Sequence, residues 1–161
     1  MNRLRLRLPV IFIVALILSI LPLPAFLVFF KPPWILLSLL YVAFFLPAKS
    51  NLAVIVILGL ILDVLLSTIL GAHAFALIAT LGLTFGKARR FQFFPMVHQI
   101  ILVGFFCFFY QNILMFINAL QGLPYNLWIP LASCGLGMLF WPWIRLFGDE
   151  WLLSRFGYAR R

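Results

Sequence analysis

The sequence is short of charge, and above all of acid. Only 3 of its 161 residues are Asp or Glu, and Asp, Glu, Lys and Arg together make up 9%, whereas a water-soluble domain draws about 25% of its residues from these four types. A soluble fold of this size needs polar side chains to cover a surface that stays in water. Because 66% of the residues are hydrophobic, an ordinary globular enzyme is excluded and lipid is the expected solvent.

Cysteine and the known catalytic motifs are scarce as well. Cys107 and Cys134 both lie in apolar runs, where cysteine behaves as a small hydrophobic residue, so neither a disulfide framework nor a metal site is predicted. The residue spacings of serine nucleophiles, phosphate-binding loops and zinc ligands are missing. We therefore expect no catalytic centre, no metal and no cofactor.

Basic residues outnumber acidic ones by 12 to 3, which gives a net charge of +9. Such a charge is found in nucleic-acid-binding proteins. Here, however, the basic residues form short clusters between long apolar runs, and no nucleic-acid-binding motif accompanies them. Clusters of this kind orient membrane proteins, so we expect membrane lipids and no nucleic acid as partners.

The charges divide the chain into apolar runs. The 35 residues from Leu52 to Gly86 hold one acid and no basic residue, a length that is too great for one crossing and sufficient for two of about 17 residues. Gly71 is the expected turn between them, since glycine adopts a positive φ at low cost. The sequence thus predicts an all-α polytopic membrane protein with six transmembrane helices, over about 8–30, 34–46, 52–70, 72–86, 97–120 and 127–147. A tail over 148–161 is predicted to be either a surface helix or disordered.

The positive-inside rule predicts the orientation. With six spans and a cytoplasmic N-terminus, eleven of the twelve basic residues face the cytoplasm and only Lys31 lies outside. Both termini are therefore expected in the cytoplasm of a bacterial inner-membrane protein. The first run is predicted to be an uncleaved span, because Pro22 and Pro24 occupy the region of a signal-peptide cleavage site. Five tryptophans fall near predicted span ends, where indole rings prefer to lie: Trp34, Trp128, Trp141, Trp143 and Trp151.

Asp63 is the only carboxylate within a predicted span. An ionisable group at that depth costs about 2.5 to 3.5 kcal/mol, so it is expected to face the interior of the bundle. Helical spacing puts Gly59, Asp63 and Ser67 on one face. This face is predicted to pack against a similar stripe of small and polar residues on the fourth span: Ala72, Ala76, Thr80 and Thr84.

Two interpretations of Asp63 stay open. It either lines a substrate or ion site, or it is a buried, hydrogen-bonded carboxyl that fixes helix packing, and the lack of a second acid at depth favours packing. If packing is its only role, Asp63→Leu should be tolerated.

Gln111 and Asn112 on span five are amides that need partners in lipid, and a bond between Gln111 and Asp63 is predicted from their similar depth. His73 and His98 are interpreted as polar residues at the two membrane interfaces.

Several short stretches, taken in order, resemble the bacterial MreD family of rod shape-determining proteins. Their order and spacing within a six-span chain carry the resemblance, although the central polar position of span five, which can be acidic in relatives, is Gln111 here. The stretches are Phe30 to Trp34 leading into Leu36, Leu37, Leu40 and Tyr41; Leu46 and Pro47; Gly59, Ile61, Leu62 and Asp63 with Gly71 eight residues later; and Trp141, Pro142 and Trp143.

The resemblance implies a non-enzymatic membrane scaffold in the complex that elongates the peptidoglycan wall and sets cell shape. It implies binding to MreC and, through it, to the MreB filament, a RodA-type glycosyltransferase and a class B penicillin-binding transpeptidase. The family is also similar in fold to the substrate-binding membrane subunits of vitamin transporters, so a small-molecule carrier is the alternative. Candidate residues for helix packing or for binding a partner or ligand are Gly59, Asp63, Ser67, Gly71, Gln111, Asn112, Trp141, Pro142 and Trp143.

Overall fold

A computed structural model describes residues 2–21, 31–46, 51–84, 91–122, 124 and 126–150. The regular structure in these ranges is helical, which confirms the prediction of an all-α protein with six helices. The helices are α1 (Asn2–Ile20), α2 (Trp34–Phe45), α3 (Leu52–Leu65), α4 (Ala72–Gly82), α5 (Met96–Ala119) and α6 (Trp128–Gly148). Most of the predicted tail, from residue 151 onward, lies outside the described residues.

The helices fall into a long and a short class. α5 and α6, with 24 and 21 residues, are long and apolar enough to cross a membrane. α2, α3 and α4 have 12, 14 and 11 residues, which is roughly 17 to 21 Å at about 1.5 Å per residue, less than the about 30 Å hydrocarbon core of a bilayer. The backbone of the turns that follow these short helices therefore needs hydrogen-bond partners from within the protein.

α2 lies at the centre of the bundle. Its residues from Ile35 to Phe44 are all buried, and the helix contacts α1, α4, α5 and α6. A helix that is apolar on every side is expected to be surrounded by other helices, and α2 fits that rule. Around it, α5 packs most extensively on α6, and α3 packs on α4.

Two glycines let neighbouring helices approach closely. A side chain at Gly59 on α3 would overlap the backbone of Ala74 on α4, with its Cβ 2.7 Å from the Ala74 amide nitrogen. A side chain at Gly137 on α6 would place its Cβ 3.2 Å from the Cβ of Cys107 on α5. The absence of a side chain therefore sets the spacing of both helix pairs.

The predicted stripe on α3 ends sooner than expected. Gly59 and Asp63 are both buried, but α3 stops at Leu65 and Ser67 is exposed, with a positive φ of 52°. The prediction that Ser67 continues the helical face is therefore wrong, because the chain has already turned. The partner stripe is buried along its whole length: Ala72, Ala76, Thr80 and Thr84.

Candidate functional site

Asp63 caps the turn that joins α3 to α4. Its Oδ2 accepts a hydrogen bond from the backbone N–H of Gly71 at 2.8 Å, and its Oδ1 accepts one from the N–H of His73 at 2.9 Å. The hydroxyl of Thr68 donates to Oδ1 at 3.2 Å. Gly71, with a φ of 96°, is the N-cap of α4, and the first N–H groups of a helix have no partner within it. The carboxylate thus satisfies backbone donors at a helix N-terminus, where negative charge is favourable.

His73 is the side-chain partner of this carboxylate. Its Nδ1 lies 2.8 Å from Oδ1 of Asp63, and the ring is largely buried. A carboxylate that accepts from Nδ1–H fixes the orientation and tautomer of an imidazole and leaves Nε2 outside that bond. The predicted bond from Gln111 to Asp63 is not found among the described residues, where the turn places the His73 ring against the carboxylate. The interfacial position of His73 stays a prediction.

A cavity of about 140 Å³ lies beside the turn, between the ends of several helices. Part of its wall is apolar and comes from α2, α3 and α5, together with the two prolines that precede α2. The polar residues that line it are Ser19, Lys31, His73, Tyr110 and Gln111. Partial burial lowers the pKa of the Lys31 ammonium, which lies just before α2.

The cavity brings together only some of the predicted site residues. Gln111 lines it directly. Asp63 is bonded to the cavity-lining His73 and accepts from the backbone N–H of Gly71, but neither Asp63 nor Gly71 is part of the lining. Asn112 has another role, since its Nδ2 donates to the carbonyl oxygen of Phe108 at 2.7 Å within α5. Gly59 lies away from the cavity lining, at the contact of α3 with α4.

The three residues 141–143 lie toward the other end of the bundle, near the C-terminus of α6. Trp141 is completely buried and meets the ring of Phe91 edge-on, with centroids 6.0 Å apart. The predicted interfacial position of Trp141 is therefore wrong, because its ring fills the core. Trp143 is 60% exposed, and α6 continues through Pro142 to Gly148.

A second polar cluster at this end joins α2, α5 and α6. Arg145 donates from Nη1 to Oε1 of Gln99 at 2.7 Å, and its Nε lies 3.7 Å from Oδ2 of Asp149. The hydroxyl of Tyr41 donates to the other oxygen of Asp149 at 2.9 Å. Sequence reasoning counted Arg145 only as an orienting charge and missed the cluster, although the i, i+4 spacing of Arg145 and Asp149 was a signal for this pair.

Comparison with known proteins identifies the family. A family model described as rod shape-determining protein MreD matches residues 3–150. The chain is similar to the rod shape-determining protein MreD of Haemophilus influenzae, with 26% identity over 135 residues that cover 84% of this chain and 83% of the relative. No solved structure matches the chain. Because the family model covers nearly the whole sequence, the chain belongs to the MreD family of rod shape-determining membrane proteins.

Proposed function

We propose that the chain is a non-enzymatic, multi-pass scaffold of the bacterial inner membrane that binds MreC within the cell-wall elongation complex. Through MreC it contacts the MreB filament, a RodA-type glycosyltransferase and a class B penicillin-binding transpeptidase, and so regulates peptidoglycan synthesis. The observation that carries the proposal is the family match over residues 3–150, since the family has a rod-shape-determining role.

The chemistry of the two polar clusters supports a scaffold. The Asp63 carboxylate accepts hydrogen bonds from donors of its own turn. The Arg145 guanidinium forms a hydrogen bond with Gln99 and an ion pair with Asp149. Both clusters hold helices to one another. The outer faces of the bundle offer a partner protein apolar side chains such as Ile13, Ile17 and Val97, each of which is more than half exposed.

Co-purification tests the proposal. The full chain, tagged and expressed at its native level, is extracted in a mild detergent and analysed for MreC. We expect MreC to elute with it in a fixed ratio and to be lost when the chain is omitted. Recovery of a monodisperse, folded chain without MreC would contradict the proposal.

Two matched variants map the contact surface. An apolar groove of about 490 Å³ lies between α1 and α6, with Val14 on its wall, whereas Val97 is exposed at the start of α5. Val14→Trp and Val97→Trp add the same bulk at the two places. Whichever variant reduces the recovery of MreC, at an unchanged level of the chain in the membrane, identifies the helices that MreC touches.

The size of the cavity does not favour the alternative of a vitamin carrier. Pockets for drug-sized ligands occupy about 300 to 1,000 Å³, and the cavity beside Asp63 measures about 140 Å³. Mass spectrometry of the purified protein tests this alternative. A vitamin-sized ligand that survives purification of the wild type and disappears in Asp63→Ala would favour the carrier.

A further inference from the structure

Three polar groups in the cavity beside the α3–α4 turn have no bonding partner in the part of the chain that the structure describes. Tyr110 is only 4% exposed, yet its hydroxyl makes no hydrogen bond there. The side-chain amide of Gln111 and the ammonium of Lys31 line the same cavity, also without a protein partner in the described ranges. Because these groups line the cavity and are not bonded to the described protein, they are available to a ligand with complementary hydrogen-bonding atoms.

The chemistry of the cavity lining indicates the charge of a ligand that fits it. An ammonium offers three N–H donors and no acceptor, a phenol offers one O–H, and the amide of glutamine offers two N–H. The Nε2 of His73 is an acceptor when Nδ1–H donates to Asp63, so it is not one of these donors. Ser19 already donates its hydroxyl to the carbonyl oxygen of Ala15 at 2.8 Å. The groups that remain to be satisfied are mainly donors, and one of them carries a positive charge.

The one carboxylate near the cavity does not meet this demand. Both oxygens of Asp63 are bonded to donors of the turn, namely Thr68, Gly71 and His73. Lys31 forms no ion pair with any described residue. The cation therefore lies in a partly buried position, beside donors and without a counter-charge from the described protein.

We propose that this cavity binds a phosphate group. A tetrahedral oxyanion presents several acceptor oxygens in different directions, which matches donors that come from Lys31 before α2 and from Tyr110 and Gln111 on α5. The cavity volume of about 140 Å³ is several times the volume of about 30 Å³ that one water molecule takes up in the liquid, so a compact oxyanion fits. Lys31 supplies the charge, and Tyr110 and Gln111 supply directed hydrogen bonds.

The phosphate has two possible sources, a free anion or the headgroup of a lipid. The experiment uses the full chain in dodecyl maltoside, a detergent without phosphate, and follows the midpoint of thermal unfolding. One arm adds inorganic phosphate against sodium chloride of equal ionic strength. The other arm adds dioleoylphosphatidylglycerol against dioleoylglycerol, which has the same acyl chains and no phosphate.

We expect at least one phosphate-bearing additive to raise the midpoint of the wild type, because a ligand that binds only the folded state stabilises it. Lys31→Gln and Tyr110→Phe should each weaken the apparent affinity at least tenfold. Lys49→Gln, which removes the same charge elsewhere in the sequence, is the matched control and should leave the affinity unchanged.

The arms separate the sources. A response to inorganic phosphate assigns a free anion, a response to phosphatidylglycerol alone assigns a lipid headgroup, and either supports the proposal when Lys31→Gln and Tyr110→Phe weaken it. No response of the wild type to either additive would overturn the proposal. A response that is unchanged in Lys31→Gln or in Tyr110→Phe would overturn it as well. MreC binding is measured separately, so its failure leaves this test unaffected.

Discussion

Asp63 determines how the chain turns between α3 and α4. The two helices are shorter than the hydrocarbon core, so backbone groups in their connection need acceptors from the protein itself. Asp63 provides them for the N–H groups of Gly71 and His73. The tolerance of an apolar residue at position 63 was expected only if packing is the sole role of Asp63, and the bonds to the backbone add a second role.

Replacement of Asp63 by leucine should therefore destabilise the protein. Leucine leaves the N–H groups of Gly71 and His73 and the His73 ring without an acceptor, at about 1 to 3 kcal/mol for each unsatisfied buried group. We expect a lower midpoint of thermal unfolding in detergent and less protein in the membrane. Asp63→Asn keeps one carbonyl oxygen and should lose less. An Asp63→Leu protein that unfolds at the wild-type temperature would refute the capping role.

Some helix ends follow from the sequence and others do not. The runs that became α5 and α6 were delimited by charges and by a polar loop, so both helices lie within a few residues of the predicted spans. The run 52–86 has no such break except Gly71, and its apolar composition does not indicate where α3 ends. That end depends on bonds formed only in the folded chain, including the one from the Thr68 N–H to the carbonyl oxygen of Asp63.

The same limit applies to the candidate site. Similar depth along the helices predicted that Gln111 lies near Asp63, and in the structure Gln111 lines the cavity beside the turn that Asp63 caps. The partner of Asp63 was missed because a lone histidine beside a turn is also typical of an interface. Lys31 was assigned only a side of the membrane, since the pattern of charges does not report which cavity a side chain lines.

The contact between α3 and α4 should be sensitive to a single methyl group. Gly59→Ala places a Cβ against the backbone of Ala74, which cannot swing aside as a flexible side chain does, and such overpacking costs about 1 to 3 kcal/mol. Gly82→Ala is the matched control, because a Cβ at Gly82 meets open space and alanine favours a helix. We expect a lower unfolding midpoint only for Gly59→Ala. Equal midpoints for the two variants would contradict the close approach.

The bond from Arg145 to Gln99 should couple α6 to α5. Gln99 is completely buried, and its Nε2 donates to the carbonyl oxygens of Phe91 and Phe94, so its Oε1 depends on Arg145. A double-mutant cycle with Arg145→Met and Gln99→Leu should give a coupling free energy of about 0.5 to 3 kcal/mol, measured from thermal unfolding. Additive effects of the two substitutions would show that the bond contributes nothing to stability.

At the scale of the whole molecule, the two polar clusters lie at opposite ends of the bundle. The ends of α3 and of α1 meet near the Asp63 cluster, and the ends of α2 and α6 meet near the Arg145 cluster. The positive-inside rule predicts that the Arg145 end faces the cytoplasm, because nearly all of the basic residues fall on that side. The phosphate site would then face the outer leaflet.

Reporter fusions test this orientation. Green fluorescent protein fused after Arg161 should fluoresce, because it folds in the cytoplasm, and alkaline phosphatase fused after Gly122, between α5 and α6, should be active, because it needs the oxidising periplasm. Exchange of the two reporters between these positions is the control and should abolish both signals. The predicted orientation is favoured over the reverse one, because the reverse orientation moves eleven basic residues to the outer face and leaves Lys31 alone inside. An active phosphatase after Arg161 would show that the bundle is inverted or that the number of spans is odd.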